Sequence, residues 1–132
     1  NGAKCYLVSG GFDVITGPVA ALCGFHDHHA NHMHVGDGKI LGTVQTPVLD
    51  RNAKAAYLAH YCKQHGIDLV DTATIGDGAN DLAMLQAAGM GVAFEGKALL
   101  LAEVAIQLNH TDLRGLLYLQ GYKDSDFVLE KI

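Results

Sequence analysis

The chain has 132 residues, with 9 basic and 14 acidic side chains giving a formal charge of -5, and 49% of it is hydrophobic. That is enough apolar material for one compact domain and too much for a disordered chain. No basic stripe is present to neutralise nucleic-acid phosphates, and no apolar run approaches the roughly 20 residues of a membrane helix.

Lys4-Cys5-Tyr6-Leu7-Val8 reads as a buried strand, broken sharply by Ser9-Gly10-Gly11. The next segment, Phe12 to Phe25, places Val14, Ile15, Val19 and Leu22 at helical spacing, with Pro18 interrupting or bending the helix. Residues Ala30 to Val35 alternate, Gly36-Asp37-Gly38 forms a turn, and Ile40 to Val44 runs back, which is a hairpin signal. Asp50 to His65 is a helix on the spacing of Ala53, Ala56, Tyr57 and Tyr61, and Gly66 ends it. Thr72–Ile75 is then a strand, Asp81–Ala88 a helix, Gly91–Phe94 a strand, Ala98–Glu103 a helix and Val104–Leu108 a strand. Thr111-Asp112 caps a final helix reaching about Gln120. Strands alternating with helices imply one α/β unit, a parallel sheet covered on both faces. Residues 1–132 are therefore expected to form a single domain.

Cys5, Cys23 and Cys62 are odd in number and far apart, so they read as reduced, mostly buried small hydrophobes. With no secretory signal visible, the expected compartment is the cytoplasm.

In open parallel sheets, ligands bind beyond the carboxyl ends of the strands. The loop Gly76-Asp77-Gly78-Ala79-Asn80-Asp81 lies at such an end. Its glycines allow a tight turn with room for a ligand, while its two carboxylates suit a hard cation. Mg²⁺ typically takes one or two protein carboxylates together with substrate phosphate oxygens. Helix capping accounts for one of these polar residues, not for three with two spacing glycines. Ser9-Gly10-Gly11 follows the first strand, where a hydroxyl and exposed amides form an anion nest. Lys54, near the start of its helix, is either a solvated surface lysine or the point charge for a transferring phosphoryl group.

The ordered set Ser9-Gly10-Gly11-Phe12, Lys54 and Gly76-Asp77-Gly78-Ala79-Asn80-Asp81-Leu82 resembles motifs two, three and four of the haloacid dehalogenase superfamily. More narrowly, it is similar to the superfamily's phosphoserine phosphatase branch. The Asn31–Lys39 segment and Thr111-Asp112-Leu113-Arg114-Gly115 extend the resemblance over essentially the whole chain. That resemblance implies a three-layer, Rossmann-like α/β sandwich built on a parallel sheet. It implies Mg²⁺-dependent hydrolysis of a small phosphomonoester, O-phosphoserine in the narrower reading, through an aspartyl-phosphate. Ser9, Gly10, Lys54 and Asn80 would hold the phosphoryl group, with Lys54 also catalytic. Asp77 would ligate Mg²⁺, and Asp81 would support the metal site or its waters.

Two departures accompany it. Asp13 stands where the family commonly has threonine. The family's Asp-x-Asp-x-Thr/Val motif, with its strand and helical cap, belongs before the Ser-Gly-Gly strand and is expected upstream of Asn1. The Asp124-Ser125-Asp126 triplet follows no apolar strand and reads as an exposed loop. A sheet without that strand would expose an edge inviting a second chain, either as a dimer or as a separately supplied segment.

Two other patterns compete. Gly91-Val92-Ala93-Phe94-Glu95-Gly96-Lys97-Ala98 has P-loop spacing, but Ala98 replaces the hydroxyl residue and Val-Ala-Phe reads as a strand. His26, His28, His29, His32 and His34 form a pH-sensitive histidine-rich hairpin edge or, alternatively, a Zn²⁺- or Ni²⁺-binding module.

Overall fold

In a computed structural model, residues 2–128 are described. The first strand, β1 (Tyr6–Phe12), leads into helix α1 (Asp13–Cys23) and returns as β2 (Asp27–Asn31), parallel to β1 with Tyr6 opposite Asp27 and Val8 opposite His29. The expected sharp break at Ser9 is instead an irregularity of register between Val8 and Phe12, where Gly11 N–H donates to Ser9 Oγ at 2.9 Å. Helix α1 runs through Pro18 and stops at Cys23, two residues short of the expected end, because Gly24 adopts a left-handed φ of 73°.

The alternating Ala30–Val35 stretch is not one strand. Asn31 closes β2, and Met33 opens β3 (Met33–Gly36), which pairs antiparallel with β4 (Lys39–Val44). Asp37 (φ 50°) and Gly38 (φ 74°) are both left-handed, as a two-residue hairpin turn of this hand requires. Only His34 lies in the hairpin, whereas His28 and His29 lie in β2. Period-two alternation continues across the junction, so it carries no mark of the change of sheet.

Helix α2 (Ala53–His65) starts where Asp50 Oδ1 accepts the Asn52 and Ala53 amides. Strands β5 (Ala73–Gly76), β6 (Met90–Phe94) and β7 (Ile106–Leu108) form a parallel sheet in that order. The intervening helices are α3 (Leu82–Ala87) and α4 (Ala98–Glu103), and α5 (Gly115–Leu119) follows β7. Leu85, Ala93, Leu100 and Val104 form the buried core between these strands and helices.

Among the described residues the parallel strands thus fall into two groups, β1–β2 and β5–β6–β7, and β1 and β5, like β2 and β7, each have one unpaired edge. Helix α2 touches both groups, contacting β1 on one side and the turn after β5 on the other. The first group has little apolar core. Thr16 and Ala20 are the buried residues of α1, while Val14, Ile15, Val19 and Leu22 point outward. Cys5 and Cys23 are exposed and Cys62 is half-buried, correcting the expectation that the cysteines are buried. Cys5 precedes β1 and Cys23 lies in the last turn of α1, so neither reaches the packed half. Among the described residues no helix is long and apolar enough to cross a membrane.

Candidate active site

The irregular carboxyl end of β1, Ser9–Gly11, meets the loop after β5. A Cβ built on Gly10 would lie 3.6 Å from Asn80 Nδ2. Five of the sequence-predicted residues, Ser9, Gly10, Asp77, Asn80 and Asp81, come from the end of β1 and from the loop after β5, and Lys54 reaches in from the first turn of α2.

Asp81 organises the loop. It is only 2% exposed, and Oδ1 accepts from Lys54 Nζ at 2.5 Å. Its Oδ2 accepts the Asp77 and Gly78 amides, each at 3.0 Å. Those contacts commit both carboxylate oxygens inside the protein. Gly76 makes this folding-back feasible, since a Cβ there would sit 2.4 Å from Asp81 Cγ. Asp77 is different: it is exposed, and its carboxylate has no side-chain hydrogen bond or ion pair among the described residues. It borders a cavity of about 260 Å³ with Ile75, Gly76, Phe94, Glu95 and Leu113.

For a hard cation, Asp77 is the loop's uncommitted carboxylate among the described residues, which fits a Mg²⁺ that takes few protein carboxylates. Among the described residues no three histidine, cysteine or carboxylate side chains converge on one point. The five clustered histidines instead have protein partners. His26 Nδ1 accepts the Cys5 amide, His28 bonds Thr16, His29 bonds Tyr61, His32 bonds Asp13 and His34 bonds Thr43.

Asp13 and His32 pair at 2.6 Å, and the hydrogen bond from His32 holds the Asp13 carboxyl below its usual range. The charge that Asp13 adds beside the anion loop is thus directed at an imidazole. Sequence reasoning missed Asn31. This side chain, 5% exposed, donates from Nδ2 to the Gly10 carbonyl at 3.0 Å and accepts the Leu49 amide on Oδ1 at 2.7 Å. It ties the Ser9–Gly11 segment to the approach to α2. A lone asparagine at a strand end gives no local signal of that role.

Glu95, beside Asp77 in the cavity, follows β6 with φ 44°, a left-handed conformation that strains a residue with a Cβ. Replacing Glu95 with glycine is expected to stabilise the chain by about 1 kcal/mol, or roughly 4 °C in Tm, measured by thermal unfolding. An unchanged or lower Tm would show that the side chain repays the strain. The P-loop-like run from Gly91 to Ala98 passes through this residue, and its Val-Ala-Phe segment lies within β6.

Parallel strands joined by helices, with polar loops gathered at the strands' carboxyl ends, make this an α/β fold of the Rossmann-like kind. The chain belongs to the haloacid dehalogenase-like hydrolases, whose family profile matches residues 1–86. A phosphoserine phosphatase of Mycobacterium tuberculosis is 38% identical over 120 residues, covering 91% of this chain and 29% of that protein. The phosphoserine phosphatase of Methanocaldococcus jannaschii is 40% identical over 111 residues, covering 84% of this chain and 53% of that protein. A substrate-bound phosphoserine phosphatase structure superposes with a TM-score of 0.82 at 39% identity, covering 88% of this chain and 55% of the other. The chain spans about half, or less, of the length of these relatives.

Proposed function

We propose that these residues supply the phosphate- and cation-binding part of a Mg²⁺-dependent phosphomonoester hydrolase acting on O-phosphoserine. The observation that carries this reading is the free Asp77 carboxylate next to the buried Lys54–Asp81 pair, where the Ser9–Gly10 and Asn80 loops meet. Identities of 38–40% to phosphoserine phosphatases support the choice of substrate.

In this reading the Ser9 hydroxyl, the Gly10 amide and the Asn80 carboxamide donate to phosphoryl oxygens. Lys54 places positive charge beside them, and Asp81 holds both Lys54 and the turn in place. Asp77 would hold Mg²⁺, which would neutralise phosphoryl oxygens as charge develops. The nucleophilic aspartate comes from outside these 132 residues. Its carboxylate attacks phosphorus as the P–O bond to serine breaks. The serine oxygen takes a proton, and water then hydrolyses the acyl phosphate to inorganic phosphate and the free carboxylate. Such an enzyme would work in the cytoplasm and produce serine for biosynthesis. The unpaired edges of β1 and β5 are where a further strand would join, from a segment supplied separately or from a second copy in a dimer.

The expected result is no Mg²⁺-dependent phosphoserine hydrolysis by the 132-residue chain alone, and turnover by the longer parent protein. Asp77→Asn in the parent is expected to abolish Mg²⁺-dependent activity. Turnover by the chain alone would overturn the division of labour, and wild-type activity in the variant would overturn the metal role. A panel of small phosphomonoesters assayed on the parent tests the substrate, since the serine-recognising cap is not among these residues.

A further inference from the structure

The face of α2 that meets the sheet is built from rings. Lys54, Tyr57, Tyr61 and His65 follow at spacings of three, four and four, so they form one stripe along the helix. No residue of α2 is fully buried, and its seat is shared between that stripe and its packing on α3. Tyr61 stacks on Tyr6 of β1 with ring centroids 3.5 Å apart and planes at 11°, and Tyr57 stacks on His29 of β2 at 4.0 Å. The Tyr6 hydroxyl and His65 Nε2 are 2.5 Å apart.

At the centre, the Tyr61 hydroxyl lies 2.5 Å from His29 Nε2 and 3.2 Å from Asp27 Oδ2. The phenol has one proton. With that proton donated to Asp27, His29 must donate its Nε2–H to the Tyr61 oxygen, an assignment made from the network. Lys54, seven residues before Tyr61 and about 10 Å up the helix, rides on the same stripe.

We propose that Tyr61, hydrogen-bonded between His29 and Asp27, is a positioning residue that seats α2 and through it Lys54, and that acid loosens this seat by charging His29. The inference concerns the Lys54–Asp81 geometry and does not rest on the proposed substrate.

The groups facing His29 are Asp27 and His28 from β2, Tyr57, His60 and Tyr61 from α2, with Tyr6 of β1 and His65 of α2 behind them. Burial among these rings holds the imidazole below its ordinary 6.5, outweighing the attraction of Asp27 3.7 Å away. The folded state therefore binds the proton more weakly than the unfolded chain. Its stability falls as pH drops below about 6.5 and is recovered above it. Tyr61 is pushed up to about 12 by burial and by Asp27, so its contribution is present below about pH 10 and lost as pH rises toward 12.

NMR on the intact chain tests the proposal. The His29 ring protons should titrate below pH 6.5. Between pH 7.5 and 5.5, the Tyr57 and Tyr61 amides should lose exchange protection beyond any loss at Val92 and Ala93 in β6. Over the same range the Asp81 carboxyl carbon should shift as Lys54 withdraws. His29→Gln keeps a donor for Tyr61 without a titrating charge, so it should remove the acid step while leaving Lys54 seated at pH 7.5. Tyr61→Phe keeps the stack but should loosen α2 at every pH. A His29 midpoint at or above 6.5, or a wild-type acid response in His29→Gln, would overturn the proposal. Should either variant fail to fold, the wild-type titration decides alone.

Discussion

Asp81→Ala is expected to destabilise the chain by about 3–5 kcal/mol, because it removes one partner of a buried ion pair and orphans two backbone amides as well. Against a total of about 5–15 kcal/mol for a domain of this kind, that is a large share. Lys54, with a side chain only 12% exposed, would be left as an unpaired charge, and the Gly76–Gly78 turn would lose its internal brace. The measurement is urea denaturation in metal-free buffer. A group whose role was confined to the cation would leave stability in that buffer unchanged. A wild-type midpoint for Asp81→Ala would therefore show that the hydrogen bonds described here do not organise the loop.

The second large effect is expected at Gly91. A Cβ there would stand 1.9 Å from the Leu85 carbonyl oxygen and 2.6 Å from its carbon, both backbone atoms of α3. Neither the helix nor the strand can yield an ångström without opening the contacts of Leu85, Ala93 and Leu100. Gly91→Ala should therefore cost about 3 kcal/mol or more, the range of severe overpacking. Gly96 provides the comparison: its Cβ would meet Ala93 Cβ at 3.2 Å and Leu100 Cβ at 3.3 Å, which small shifts relieve. Gly96→Ala should cost less than about 1 kcal/mol on the same scale. Equal midpoints for the two variants, by thermal or chemical unfolding, would contradict the close approach of α3 to β6.

Much of the organisation was legible in the residues. Gly66 stops its helix, Asp37-Gly38 makes the hairpin turn, and the β–α alternation after Asp50 appears in the expected order. The Gly76–Asp81 loop and Ser9-Gly10 meet, as strand ends in a parallel sheet should. The junction at Asn31–Met33 was not legible, since side-chain alternation is the same whether a chain continues one strand or enters another. Nor was the outward face of α1. Its apolar spacing identifies a helix but not the surface that will cover it, and Val14, Ile15 and Leu22 stay exposed.

By itself the sequence determined the local grammar and the order of the chemistry-bearing loops. Turn glycines, helix stops and the Gly-Asp-Gly-Ala-Asn-Asp run act over a few residues, so a linear reading captures them. Only the tertiary structure decided which of two neighbouring carboxylates is free. Asp77 and Asp81 are both aspartates in one turn, and the difference between them comes from Lys54, 27 residues away. It also decided that the histidines are hydrogen-bonded side chains, with His29 engaging Tyr61 across 32 residues. A side chain's distant partner is set by strand register and helix docking, which no spacing along the chain encodes.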